Sequence, residues 1–104
     1  MLSIIIPIFN EEGAVEQTIR VLHGILEKAG ENFEIVVVND GSTDRTSSIL
    51  ETIHLPNVNI ITSQINRGNG ASIKTGIRHS KGDILATVDA DGTYPLQDFP
   101  KLLA

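Results

Sequence analysis

Glu34-Ile35-Val36-Val37-Val38-Asn39-Asp40-Gly41-Ser42-Thr43-Asp44 is the stretch on which the fold turns. Its core, Ile35 to Val38, is apolar and mostly β-branched, with no polar alternation. That pattern suits a strand buried on both faces, as in a parallel sheet. The run breaks at Asn39-Asp40-Gly41. Ser42, Thr43 and Asp44 then supply side-chain oxygens of the kind that cap free amides at a helix start. Thr43 and Asp44 are assigned to that capping, while Asp40, at the strand end, fits either a ligand contact or the turn itself.

Working outward, three more apolar runs have the same character: Leu2 to Phe9, Val58 to Thr62 and Ile84 to Val88. Helical patterns separate them. Val15, Ile19, Leu22, Leu26 and Ala29 recur every three or four residues, giving one apolar stripe that stops at Gly30. A short helix from about Asp44 to Ile53 has Ile49, Leu50 and Ile53 as its buried side. A third, from about Ala71 to Ser80, is anchored by Ile73 and Ile77. Strand–helix alternation of this kind predicts βαβ crossovers. The expected fold is a three-layer α/β/α arrangement around an open, mainly parallel, Rossmann-like sheet. Residues 95–104 read as the start of a further helix, cut as its apolar side begins, so the chain is read as part of a longer protein.

Composition narrows the function. The chain has 104 residues, no cysteine and a net charge of -5. That charge argues against a general nucleic-acid binder. The absence of cysteine removes disulfides and thiolate metal sites, and fits a cytoplasmic setting. No apolar run approaches the roughly 20 residues needed to span a bilayer. Four of the eight basic residues, Arg67, Lys74, Arg78 and Lys81, cluster in one stretch. Arg78 and Lys81 are read as solvated surface. His23, His54 and His79 have no ligand spacing and are read as structural or surface residues.

In an open α/β sheet, ligands bind beyond the carboxyl ends of the strands. The four segments there are Asn10-Glu11-Glu12-Gly13, Asn39 to Asp44, Asn66-Arg67-Gly68-Asn69-Gly70 and Asp89-Ala90-Asp91-Gly92-Thr93. All four are polar and carry glycine, and all should gather on one edge. Asp89 and Asp91, two apart in extended chain, point the same way. Two converging carboxylates call for a cation or a shared proton between them. A hard divalent ion, Mg2+ or Mn2+, would complete its shell with phosphate oxygens and water. Glu11 and Glu12 suit the start of the first helix through its dipole. Arg67, Gly68 and Gly70 open the third helix, whose N-terminus could receive an anion.

Gly68 to Thr75 fails as a P-loop, because Ile73 stands where glycine must precede the lysine. Asp89-Ala90-Asp91-Gly92-Thr93 resembles the first motif of haloacid-dehalogenase-like phosphatases, with Asp89 as nucleophile and Asp91 as acid/base. Three strand–helix units precede it here, whereas in that family the motif ends the first core strand. A non-catalytic nucleotide-binding or interaction module is the other alternative.

Taken as a set, the loops resemble family 2 glycosyltransferases of the GT-A fold, near the dolichol- and polyprenyl-phosphate mannosyltransferases. The matching pieces are Ile4 to Glu11, Glu34 to Asp44, Asn66 to Ala71, Gly76, Lys81-Gly82-Asp83 and Asp89-Ala90-Asp91. The resemblance implies that residues 1–104 are the N-terminal nucleotide-sugar-binding part of one GT-A domain. By it, Pro7, Phe9 and Glu11 would line the nucleoside pocket, with Glu11 towards the ribose and Asp40 on the base. Asp89 and Asp91 would hold the metal against the diphosphate, and Arg67 and Gly68, at the anion-receiving start of the third helix, are assigned to the same nucleotide site. Thr93 stands where relatives often place a further metal-binding Gln. The implied reaction is metal-dependent, inverting sugar transfer from a UDP- or GDP-linked donor, with a polyprenyl phosphate as acceptor. The catalytic base would lie beyond Ala104. A sheet edge left uncovered would invite homodimers, and the full protein would sit peripherally at a membrane.

Overall fold

A computed structural model describes residues 1–30 and 32–90. Four parallel strands, β1 (Leu2–Ile8), β2 (Phe33–Asp40), β3 (Val58–Ser63) and β4 (Ile84–Thr87), lie in the order β3-β2-β1-β4. Three helices connect them: α1 (Val15–Ala29), α2 (Thr46–Glu51) and α3 (Asn69–His79). The expected α/β architecture is therefore present.

The register explains the layering. Ile4 pairs with Ile35 and Ile6 with Val37, while Ile5 pairs with Val36. Because side chains alternate across a strand, the first set faces one side and the second the other. Leu2, Ile4, Ile6 and Ile8 join Phe33, Ile35 and Val37 beneath Val15, Ile19, Leu22 and Leu26 of α1 and Leu50 of α2. Ile5, Val36 and Val38 form the core of the opposite face, against which α3 packs.

This split follows from the order of the strands. The chain steps from β1 to β2 to β3 in one direction, then crosses back to the far side of β1. Right-handed crossovers put helices made in opposite directions on opposite faces. The reversal makes the carboxyl ends of β1 and β4 a topological switch point, which is where open α/β sheets bind ligands.

Helix α1 stops at Gly30, whose φ of 70° is left-handed, as a glycine C-cap permits. Four of the five residues of its expected stripe are fully buried, and Ala29 is exposed. Helix α2 is shorter than expected and starts at Thr46. Asp44 does cap, from just outside the helix, with Oδ1 accepting from the Thr46 amide at 2.8 Å. Thr43 instead bonds across to Asn10.

Helix α3 departs from the expectation in its orientation. Ser72 and Gly76 are its buried residues, Ile73 is half-buried and Ile77 is exposed. A Cβ on Gly76 would collide with the Ile5 side chain, so the absence of one lets the helix lie against β1. The continuous apolar run of β4 also fails to imply burial, since Ile84 and Leu85 face solvent at the outer edge of the described sheet. His23 is structural as expected: its Nε2 lies 2.8 Å from the Pro56 carbonyl oxygen and its ring meets Phe33 edge-on.

At the amino edge of the sheet, Glu34 binds the segment leading into β4. It accepts from the Ser3 hydroxyl at 2.6 Å and from the Lys81 amide, while Ser3 Oγ accepts from the Gly82 amide at 2.8 Å. Partial burial raises the Glu34 pKa, but these bonds outweigh it and hold the carboxyl below its ordinary value.

Candidate functional site

A cavity of about 400 Å³ opens at the carboxyl edge, between the ends of β1 and β4. Pro7, Ile8, Phe9 and Glu11 bound it on the β1 side, with Asp89 and Ala90 across from them. Asp40 and the start of α3, through Asn66, Gly68, Asn69 and Ser72, complete it. The four segments expected to converge all contribute. Of the seven residues assigned to nucleotide binding, six line this cavity. Arg67 lines an adjoining one of about 260 Å³, which shares Asp40 and Ser72 with the first.

Asp40 is held firmly. Its Oδ1 accepts from the Arg67 amide at 2.9 Å and its Oδ2 from the Gly68 amide at 2.8 Å. The carboxylate is nearly buried and fixes the turn into α3 to the end of β2. Each oxygen retains a further lone pair for a ligand donor. Gly41 follows with a φ of 69°, and a Cβ there would strike the backbone at Ile65 and Asn66. Only glycine lets the two loops approach this closely.

A second lattice of bonds sets the β1 loop. Asn10 adopts a positive φ of 52°, which Asn tolerates better than most residues. Its amide donates to Ser42 Oγ at 3.1 Å, and its Oδ1 accepts from the Thr43 amide at 2.7 Å. The Glu11 amide donates to Thr46 Oγ1 at 2.9 Å, and Arg45 pairs with Glu12 at 2.8 Å. Glu12 thus belongs to the scaffold, while Glu11 stands at the cavity. Phe9, with 44% of its surface exposed, offers an aromatic face there.

Asn10 and Ser72 were not singled out from the sequence. Ser72 is buried at the back of both cavities, and its Oγ has no hydrogen-bond partner among the described residues. The first signal available was Asn10 directly after an apolar strand, a position that favours a left-handed turn. Nothing in the sequence marks Ser72.

Asp89 is exposed at the cavity rim, directly beyond β4. Among the described residues nothing bonds to its carboxylate, and no group of three His, Asp or Glu is arranged to hold a metal. Its companion Asp91 lies outside the described residues, as do Thr93 and the helix expected over 95–104.

Residues 3–104 match the family described as Glycosyl transferase family 2. The chain belongs to this family. Among curated relatives of the glycosyltransferase family, one is the undecaprenyl-phosphate 4-deoxy-4-formamido-L-arabinose transferase of Edwardsiella ictaluri (strain 93-146). It is 34% identical over 97% of this chain and 32% of its own length. The uncharacterized glycosyltransferase YkcC of Bacillus subtilis (strain 168) is 37% identical over 97% of this chain and 31% of its own. The chain thus spans about a third of the length of these relatives.

Two solved structures share the fold. The mannosyltransferase PcManGT of Pyrobaculum calidifontis, in complex with GDP-Man and Mn2+, superposes with a TM-score of 0.77 at 28% identity. The match covers 93% of this chain and 29% of that one. S. aureus TarS 1-349 in complex with UDP-GlcNAc gives 0.71 at 28% identity, over 86% and 26%. The parallel sheet with its helices is therefore that of GT-A glycosyltransferases, and family membership sets the phosphatase reading of Asp89 aside.

Proposed function

We propose that this chain forms the donor site of a glycosyltransferase that takes a sugar from a nucleoside diphosphate. The observation that carries the reading is the cavity at the β1–β4 switch point, where Phe9, Glu11, Asp40 and Asp89 meet. The nucleoside lies between Pro7 and Phe9 on one side and the Asp40–Gly68 turn on the other. Asp40 accepts from the base, Glu11 from the ribose hydroxyls, and Arg67 closes the base end.

Asp89 and Asp91 supply hard oxygen ligands, which suit Mg2+ or Mn2+. Such an ion would neutralise charge on the departing diphosphate. The exposed carboxylate of Asp89, unpartnered among the described residues, fits that role. The transfer is a single displacement with inversion, completed by a base from outside residues 1–104 or by an acceptor that is already ionised. A polyprenyl phosphate, already ionised, is the acceptor supported by the undecaprenyl-phosphate transferase among the relatives. Of the described helices, none is long and apolar enough to cross a membrane.

Calorimetric titration with GDP and UDP, with Mn2+ or with EDTA, tests the proposal. The expected result is one saturable site per chain, weakened at least about tenfold by EDTA, as loss of one charge-neutralising contact implies. No binding of either nucleotide would overturn it.

A further inference from the structure

Charge is segregated along this chain. Residues 52–82 hold four of the eight Lys and Arg residues and none of the thirteen Asp and Glu, although the net charge is -5. Arg67, Lys74 and Arg78 line a shallow groove of about 400 Å³ along α3, with Ala71, Thr75 and Ile77. All three cations are exposed. Arg20 and Arg45, elsewhere in the chain, each pair with a glutamate. Arg67, Lys74 and Arg78 make no ion pair among the described residues, and Arg78 donates only to Thr75 Oγ1 at 3.3 Å.

Apolar surface is interleaved with these charges. Ile77 is 45% exposed, because Ser72 and Gly76 occupy the buried side of the helix, and Ile65 stands out just before α3. Lys74, Ile77 and Arg78 are three and four residues apart, so they form one stripe. Cations without an ion pair among the described residues, flanking an exposed isoleucine, call for a partner that is both anionic and apolar at short range.

We propose that this face of α3 docks on an anionic lipid bilayer. Lys74 and Arg78 meet headgroup phosphates, and Ile77 reaches the acyl boundary beneath them. A nucleic acid would satisfy the charges, but residues 52–82 contain no Phe, Tyr or Trp on which bases could stack. An acidic protein surface would leave the isoleucine against polar groups. Since α3 begins at the cavity rim with Asn69, the docked helix holds the cavity beside the lipid surface. That last consequence deepens the glycosyltransferase reading and rests on it; the docking itself does not.

Co-sedimentation of the protein with phosphatidylcholine vesicles, with and without phosphatidylglycerol, tests the docking without nucleotide. Binding is expected only with phosphatidylglycerol, and high salt should abolish it. Lys74→Glu with Arg78→Glu should weaken binding about thirtyfold or more, because each cation near such a surface contributes about fivefold. Should that variant fail to fold by circular dichroism, Lys74→Gln with Arg78→Gln should show a loss of about tenfold or more. Lys28→Glu, on α1 across the sheet, should change binding less than about twofold. Equal sedimentation with pure phosphatidylcholine, no sedimentation at all, or an equal loss from Lys28→Glu would each overturn the proposal. Nucleotide titration without vesicles reads the cavity separately, so either inference can fail while the other stands.

Discussion

On one face of the sheet, α1 and α2 bury Val15, Ile19, Leu22, Leu26 and Leu50 in a continuous aliphatic layer. On the other, α3 meets Ile5, Val36 and Val38 through Ser72 and Gly76, and turns Ile77 outward. The same two central strands therefore face a thick core on one side and a close, small-residue contact on the other. The difference concerns what each helix is placed to do. A helix held by large side chains is held by burial. A helix held by glycine brings its backbone nearer the sheet, and here its first turn borders the cavity.

Substitutions on the two faces should separate these modes. Leu22→Ala removes a fully buried side chain from the thick face and should cost about 3 kcal/mol in denaturant melts, with nucleotide affinity little changed. A loss below about 1 kcal/mol would mean that α1 is not the principal core helix. Gly76→Ala forces a Cβ into Ile5, and the resulting strain should exceed the gain in helix propensity, for a net loss of about 1 to 2 kcal/mol. It should also weaken nucleotide binding, because α3 shifts at the rim; a stabilised variant with unchanged affinity would remove the close-contact account.

A smaller effect is expected from pH at the amino edge. The folded-state pKa of Glu34 is depressed, so its contribution is present above the unfolded value near 4.5 and is lost as pH falls through the folded value. Glu34→Gln should flatten that part of the acid-unfolding profile, and an unchanged slope below pH 4.5 would contradict the network. Smallest of all, Ile77→Ser should leave stability within about 0.5 kcal/mol, since the side chain already faces solvent.

The sequence made the thick face readable and the thin face hard to read, for a physical reason. Strands β1 and β2 announce themselves by unbroken apolar runs, and α1 by a stripe of large residues ending at Gly30. Helix α3 buries Ser72 and Gly76, which carry no hydrophobic signal, so Ile73 and Ile77 looked like the anchors. Chain order and parallel pairing were enough to bring Phe9, Glu11, Asp40, Gly68 and Asp89 to one edge. What could not be read was the stitching between loops. The bonds from Asn10 to Thr43, and from Asp40 to the Arg67 and Gly68 amides, join residues about thirty positions apart through geometry that only the folded chain creates. Ile84 and Leu85 illustrate the converse, since an apolar run records a tendency to be buried and does not name what buries it.

In the proposed site, metal and nucleotide meet at the carboxyl edge between β1 and β4. Paramagnetic Mn2+ broadens nearby amide resonances, so an NMR titration of the protein with GDP and substoichiometric Mn2+ locates the ion directly. Selective loss of the Asp89 and Ala90 signals, then those of Phe9 and Gly68, with Glu27 and Gly30 intact, is the predicted pattern. Broadening centred elsewhere, or spread evenly over the acidic surface, would contradict the account.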